Sequence, residues 1–128
     1  MPSKVKRRIL IIEDSPDTQS LLAEFLRGQG YIVDCASNGF EAFELLRAPN
    51  NPLPRLILLD LMMPGMDGKK FRKEQQNDPN LIHIPVVVMT ANGDCEAKSI
   101  EIGASGFLKK PFLGLQVILN TIDTFFPE

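Results

Sequence analysis

The sequence holds a single histidine, two cysteines and no apolar run near the roughly 18 residues that a membrane-spanning helix needs. Two cysteines without a secretory signal core do not make a disulfide framework, so a reducing, cytoplasmic setting is expected. His83 lacks the companions that a histidine metal site or a histidine base requires, and it reads as a surface loop residue. Cys35 and Cys95 read as inert, buried or half-buried side chains. An excess of charge of one sign is also missing. Fourteen Lys and Arg against sixteen Asp and Glu leave a formal charge of −2, so no nucleic-acid surface is expected and no membrane association. Internal repeats and low-complexity segments are absent. What remains is an ordinary globular composition, 44% apolar and 23% charged over 128 residues, which suits one core. Residues 1–6 read as a basic N-terminal extension and residues 7–128 as the domain. The cluster Lys4, Lys6, Arg7 and Arg8 reads as a solvated terminus.

Five short apolar runs organise the chain: Ile9–Ile12, Tyr31–Val33, Leu56–Leu59, Ile84 with Val86–Met89, and Gly106–Leu108. The first, third and fourth are apolar at consecutive positions, the pattern of interior strands covered on both faces. The second alternates, which suits an edge. Helix signals fill the gaps. Ser15-Pro16-Asp17 reads as an N-cap, a first-turn proline and an acid at the positive helix end, with Leu22, Phe25 and Leu26 on one face and Gly28 and Gly30 as the stop. Asn38-Gly39-Phe40-Glu41 resembles a capping box, with Ala42, Leu45 and Leu46 inward. A weakly amphipathic helix over 67–76 is anchored by Phe71. Asp94 caps a short helix through Ala97 and Ile100, stopped by Gly103. A last helix over 112–126 buries Leu115, Ile118, Leu119, Ile122 and Phe126 and leaves Leu113 and Val117 partly exposed. Repeated β-α alternation predicts an α/β fold, a parallel sheet with helices on both faces and ligands beyond the carboxyl ends of the strands.

Those strand ends carry chemistry. The first run ends in Glu13-Asp14, the third in Asp60, the fourth in Thr90 and the fifth in Lys109-Lys110-Pro111. One acid after a strand is commonly a helix cap, and Asp14 can serve so. Asp60 sits between two apolar runs, and an isolated buried carboxylate is costly unless paired or metal-bound. Three carboxylates together need a cation. Oxygen-only ligands with spare positions suit Mg²⁺. A carboxylate held between Mg²⁺ and the Lys110 ammonium is a good acceptor for a phosphoryl group.

At these residues the sequence resembles the receiver domains of two-component response regulators, of the stand-alone, chemotaxis-regulator-like type. The matching segments are Ile11–Asp14, Asp60–Gly68, Val88–Ala91 and Gly103–Pro111, in order along nearly the whole chain. The resemblance implies a flavodoxin-like doubly wound (βα)5 fold with strand order 2-1-3-4-5. It implies Asp60 as phosphoacceptor, and Glu13, Asp14, Asp60 and the Met62 backbone carbonyl around Mg²⁺. It also implies Thr90 and Lys110 on the phosphoryl group, Thr90 and Phe107 as switch residues, and Met62 and Asn92 as tuners of hydrolysis. Lys109 should point away, and the Lys110-Pro111 bond is expected to be cis. Glu13 stands where many relatives carry aspartate, and Phe107 lacks the hydroxyl of the commoner tyrosine.

The expected role is a phosphorelay protein rather than an enzyme, with only slow self-dephosphorylation. It would take a phosphoryl group from a sensor histidine kinase or phosphotransfer protein. It would then alter the face made by the fourth helix, fifth strand and fifth helix, toward a downstream protein target or a second copy as a homodimer. With no output domain expected after Glu128, output is expected by protein contact or phosphorelay. Three other readings stand beside it. A phosphohydrolase acting through an aspartyl phosphate lacks a second acid at Met62. A flavin carrier would find Glu13-Asp14 repelling its phosphate. An adaptor working without phosphorylation leaves the acids and Lys110 unused.

Overall fold

Runs that are apolar on consecutive positions become interior strands because both of their faces are covered. The computed structural model describes residues 7–62, 65–91, 95–110 and 114–126. Within them, β1 (Arg8–Ile12), β2 (Ile32–Ala36), β3 (Leu56–Asp60), β4 (Val86–Thr90) and β5 (Gly106–Lys109) form one parallel sheet. They alternate with α1 (Pro16–Gly28), α2 (Gly39–Arg47), α3 (Gly68–Gln76), α4 (Cys95–Glu101) and α5 (Leu115–Asp123). The sheet order is β2-β1-β3-β4-β5, as expected. Every residue of β3 and β4 is buried, whereas β2, at the edge, is buried only in part. Its strand extends past Val33 to Ala36, where Asp34 and Cys35 hide the apolar signal. The expected extension over residues 1–6 lies outside the described residues, as do Asn92, Asp94, Pro111 with its peptide bond, and Leu113.

Alternate residues of each strand feed two separate cores. Leu10, Ile12, Ile57, Leu59, Val86 and Val88 pack with α2 and α3. Ile9, Ile11, Leu56, Leu58, Val87 and Met89 pack with α1 and α5. Local signals set the helix starts. Ser15 Oγ accepts from the Thr18 N–H, Asn38 Oδ1 from Glu41 at 2.8 Å, and Asp67 Oδ1 from Lys70 at 2.9 Å. Glu41 answers by accepting from the Ser37 N–H at 2.9 Å, closing the box one residue earlier than usual. Phe43, on the face beside Ala42 and Leu46, stacks on Phe71 with ring centroids 4.7 Å apart.

Three expectations change. The buried stripe of α5 is narrower than its composition suggests. It follows the row Ile118, Ile122 and Phe126, with Leu119 alongside, and leaves Leu115 in the first turn 42% exposed. Ile100 points outward from α4, whose covered positions are Ser99 and the following Ile102. Arg7 and Arg8 are not a solvated terminus. Arg8 pairs with Asp34 at 3.1 Å. The Arg7 guanidinium lies 4.2 Å over the Tyr31 ring and 3.8 Å from Asp123. The Tyr31 hydroxyl donates to Asp123, and burial together with that carboxylate pushes its pKa up to about 12. This cluster ties the end of α5 to the amino end of the sheet.

Helix α3 is mostly polar, and one of its polar residues is fully buried. Gln75 donates through Nε2 to the carbonyls of Leu81 and Ile84, both at 3.0 Å, and its Oε1 accepts from Arg72. It thereby satisfies the turn that delivers the chain into β4. Gln75→Leu strands the Ile84 carbonyl and leaves the Leu81 carbonyl only the Ile84 N–H, so chemical denaturation should show a loss of about 2–4 kcal/mol, against less than about 0.5 for Gln76→Leu on the exposed face. Equal midpoints for the two variants would mean that water already satisfies those carbonyls.

Candidate functional site

The parallel register brings residues far apart in sequence to one edge. Ile12 lies between Ala36 and Leu59, Asp60 beside Met89, and Thr90 beside Lys109. The residues at or just past these positions are therefore neighbours. Glu13 leaves β1 with its N–H on the Ala36 carbonyl at 3.0 Å. Gln19 of α1 donates Nε2 to the carbonyls of both Glu13 and Ala36, at 3.1 and 3.2 Å, and so fixes the loop that carries the acids. Sequence reasoning passed over Gln19, because a lone polar residue on a helix carries no pattern.

Asp60 ends β3 with 4% of its surface exposed. Its Oδ1 accepts from the Met62 N–H at 3.1 Å. Behind it, Gly68 opens α3 against the strand end and donates its N–H to the Leu61 carbonyl at 3.2 Å. A Cβ on Gly68 would come within 2.8 Å of the Leu61 backbone and 3.2 Å of the Asp60 carbonyl. The glycine is needed there for close approach, which its sequence position alone did not explain.

Glu13 is 1% exposed, while Asp14 faces solvent. One carboxylate oxygen from each of Glu13, Asp14 and Asp60 falls within 4.8 Å of the others. The Lys110 ammonium donates to Glu13 Oε1 and lies 3.6 Å from Asp60 Oδ2. Its backbone N–H is held by the Thr90 carbonyl at 2.9 Å. Lys109, one residue earlier, is exposed. Thr90 is fully buried at the end of β4. Met62 is 65% exposed at the rim and Phe107 is 39% exposed on β5. His83 is exposed in a turn and Cys35 is half-buried, both away from the cluster.

The electrostatics are those of too many carboxylates in too little water. Burial raises Asp60 most, and the hydrogen bond and charge of Glu13 raise it further, to about 7. The Met62 N–H and Lys110 oppose this without reversing it. Burial also pushes Glu13 up, but the hydrogen bond from Lys110, the one shared with Asp60 and the Ser15 N–H bring it below the ordinary value. The two buried acids thus compete for one ammonium. A small divalent cation fits this donor set. It would be reached by three hard oxygen groups, directly or through water, and it would relieve their mutual repulsion. Asp14, exposed and adjacent, supplies the open side.

Comparisons with known proteins agree with this geometry. The family model of the response regulator receiver domain matches residues 9–123. Response regulator PleD of Caulobacter vibrioides is 41% identical over 107 residues, which is 81% of this chain and 23% of that longer protein. The receiver domain of a signal transduction histidine kinase from Syntrophus aciditrophicus superposes with a TM-score of 0.81 at 33% identity, covering 92% of this chain and 88% of that one. The response regulator TrrA of Thermotoga maritima, solved with Mg²⁺-BeF, gives a TM-score of 0.79 at 25% identity, covering 93% and 98%. Matched from Ile9 in β1 to Asp123 at the end of α5, the chain belongs to the response regulator receiver domains.

Proposed function

We propose that this chain accepts a phosphoryl group on Asp60 from a histidine kinase or phosphotransfer protein and passes the signal on by protein contact. The observation that carries this reading is the meeting of Glu13, Asp14, Asp60 and Lys110 at one end of the sheet, with Asp60 flanked by both an acid and an ammonium. In the transfer, a carboxylate oxygen of Asp60 forms a bond to phosphorus as the phosphorus–nitrogen bond of the donor histidine breaks, and the imidazole leaves. Mg²⁺ held by Glu13, Asp14, Asp60 and the Met62 carbonyl would supply charge neutralisation for the incoming phosphoryl oxygens. Lys110 lies near enough to Asp60 to turn from Glu13 to the phosphoryl group. Thr90, buried at the adjacent strand end, would offer its hydroxyl as the phosphoryl group arrives.

Signalling follows from a shift between two populations. Phe107, 39% exposed on β5, would be the side chain that moves inward. Leu115 and Val117 lie exposed on α5 and form, with β5 and α4, the face whose affinity for a target or a second copy would change. A phosphohydrolase is not favoured, since Met62 leaves no second acid two positions beyond Asp60.

Intact mass spectrometry after treatment with a small phosphodonor and Mg²⁺ tests the acceptor. Wild type should gain one phosphoryl group and Asp60→Asn none, the amide being a poor nucleophile. A phosphoryl group still gained by Asp60→Asn with Glu13 and Asp14 intact would move the acceptor elsewhere.

Met62 cannot orient an attacking water by a strong hydrogen bond. The aspartyl phosphate of wild type should therefore outlast that of Met62→Asn by roughly 10- to 100-fold in Mg²⁺. Equal decay constants would remove Met62 from self-dephosphorylation.

Because the folded-state pKa of Asp60 is raised from 3.8 to about 7, its ionisation works against the fold. Metal-free wild type should lose stability as pH rises from 5 to 8, with Tm falling by roughly 5–10 °C, while Asp60→Asn should stay nearly flat. Glu13 is shifted the other way, so its favourable contribution is already complete above pH 5 and does not mask the trend. A wild-type Tm independent of pH across this window would contradict the crowding.

A further inference from the structure

Asp14 is the acid of the cluster whose carboxylate has no direct hold. It faces solvent, and among the described residues no hydrogen bond or ion pair fixes it. Its two companions differ. The Glu13 carboxylate accepts from the Ser15 N–H at 3.2 Å and from Lys110, and Asp60 accepts from the Met62 N–H. The place of Asp14 is therefore set by its backbone. The Glu13 carbonyl lies in the peptide plane that joins Glu13 to Asp14, so whatever grips that carbonyl sets the direction in which Asp14 leaves β1. The grip comes from Gln19, whose Nε2 carries two hydrogens and donates to the carbonyls of Glu13 at 3.1 Å and Ala36 at 3.2 Å. Its own N–H closes the first turn of α1 on the Ser15 carbonyl at 2.9 Å, and side chains there lean back toward the helix start. The two carbonyls do not depend on it equally. Ala36 also accepts from the Glu13 N–H at 3.0 Å, whereas the Glu13 carbonyl has Gln19 as its donor.

We propose that Gln19 is a positioning residue for the metal site, acting through the Glu13–Asp14 peptide to aim the Asp14 carboxylate at a cation shared with Glu13 and Asp60. The inference rests on the reading of these three acids as a divalent-cation site. Supports of this kind hold a ligand in place before the metal arrives, and their loss typically costs roughly 10- to 100-fold in metal affinity. A brace that only joined α1 to the edge of the sheet would stabilise the fold and leave affinity untouched. Gln75 is a brace of that second kind, since it holds the turn entering β4 at the opposite end of the sheet from Asp60.

The test titrates Mn²⁺, which takes the same oxygen ligands as Mg²⁺, into the whole chain without phosphodonor and reads the free ion by electron paramagnetic resonance. Gln19→Met keeps the length of the side chain without its donor and should weaken Mn²⁺ binding about tenfold. In an Asp14→Asn background the same substitution should change affinity less than about twofold, because the ligand it aims is gone. Gln75→Leu should lose stability yet keep its affinity within about twofold of wild type. Carbon-13 NMR should show the Glu13 carbonyl carbon moving in Gln19→Met, while unchanged amide shifts away from the loops after β1 and β2 show that the variant folds. Gln19→Asn, one methylene too short to reach both carbonyls, should weaken binding in the same direction and replaces Gln19→Met if that variant does not fold. Undiminished affinity in Gln19→Met, an equal loss in the Asp14→Asn background, or an equal loss in Gln75→Leu would overturn the proposal. A wild type that binds no Mn²⁺ would bring down the cation reading itself, and the inference with it.

Discussion

The mutual repulsion of Glu13 and Asp60, buried within reach of a single ammonium, is the constraint on which the rest of this structure depends. Ionised Asp60 works against the fold, and a core of this size could close more comfortably over apolar residues at both positions. Instead the fold holds them there. Gln19 pins the loop after β1, the Met62 N–H holds one oxygen of Asp60, and Gly68 lets α3 press directly on the strand end. The two cores beneath supply rigidity, because side chains alternating along β1, β3 and β4 lock the register that sets Ile12 beside Leu59, Asp60 beside Met89 and Thr90 beside Lys109. Three carboxylates gathered around one ammonium form a donor set that suits a divalent cation.

The family assignment rests on three independent kinds of likeness: sequence over residues 9–123, the strand order, and close superposition on solved receiver domains. It fixes the fold and the class. The match to PleD spans 23% of that protein's length.

Much of the fold was legible in the sequence because interior parallel strands leave an unmistakable mark. Leu56–Leu59 and Val86–Met89 have no polar interruption, and caps at Ser15 and Asn38 lie where their residue types place them. The acids and Lys110 were legible for the same reason, each standing where an apolar run stops. Elsewhere the signal fails for physical reasons. Edge strand β2 carries Asp34 and Cys35 because only part of it is covered. Leu115 looks as apolar as Ile118, and only the way α5 settles on the sheet decides which of them is buried. Gln19 and Gln75 serve through hydrogen bonds to backbone carbonyls, and a carbonyl has no letter in the sequence. Arg7 resembled its basic neighbours, yet it lies over the ring of Tyr31.

The crowding at Asp60 can be read directly by carbon-13 NMR of its side-chain carboxyl as pH is varied, with and without Mg²⁺. The expected midpoint is about 7 in the metal-free protein, falling below about 5 once Mg²⁺ is bound, because the metal stabilises the carboxylate that burial and Glu13 disfavour. A midpoint near 4 without metal, unmoved by Mg²⁺, would contradict both the crowded cluster and its role as a cation site.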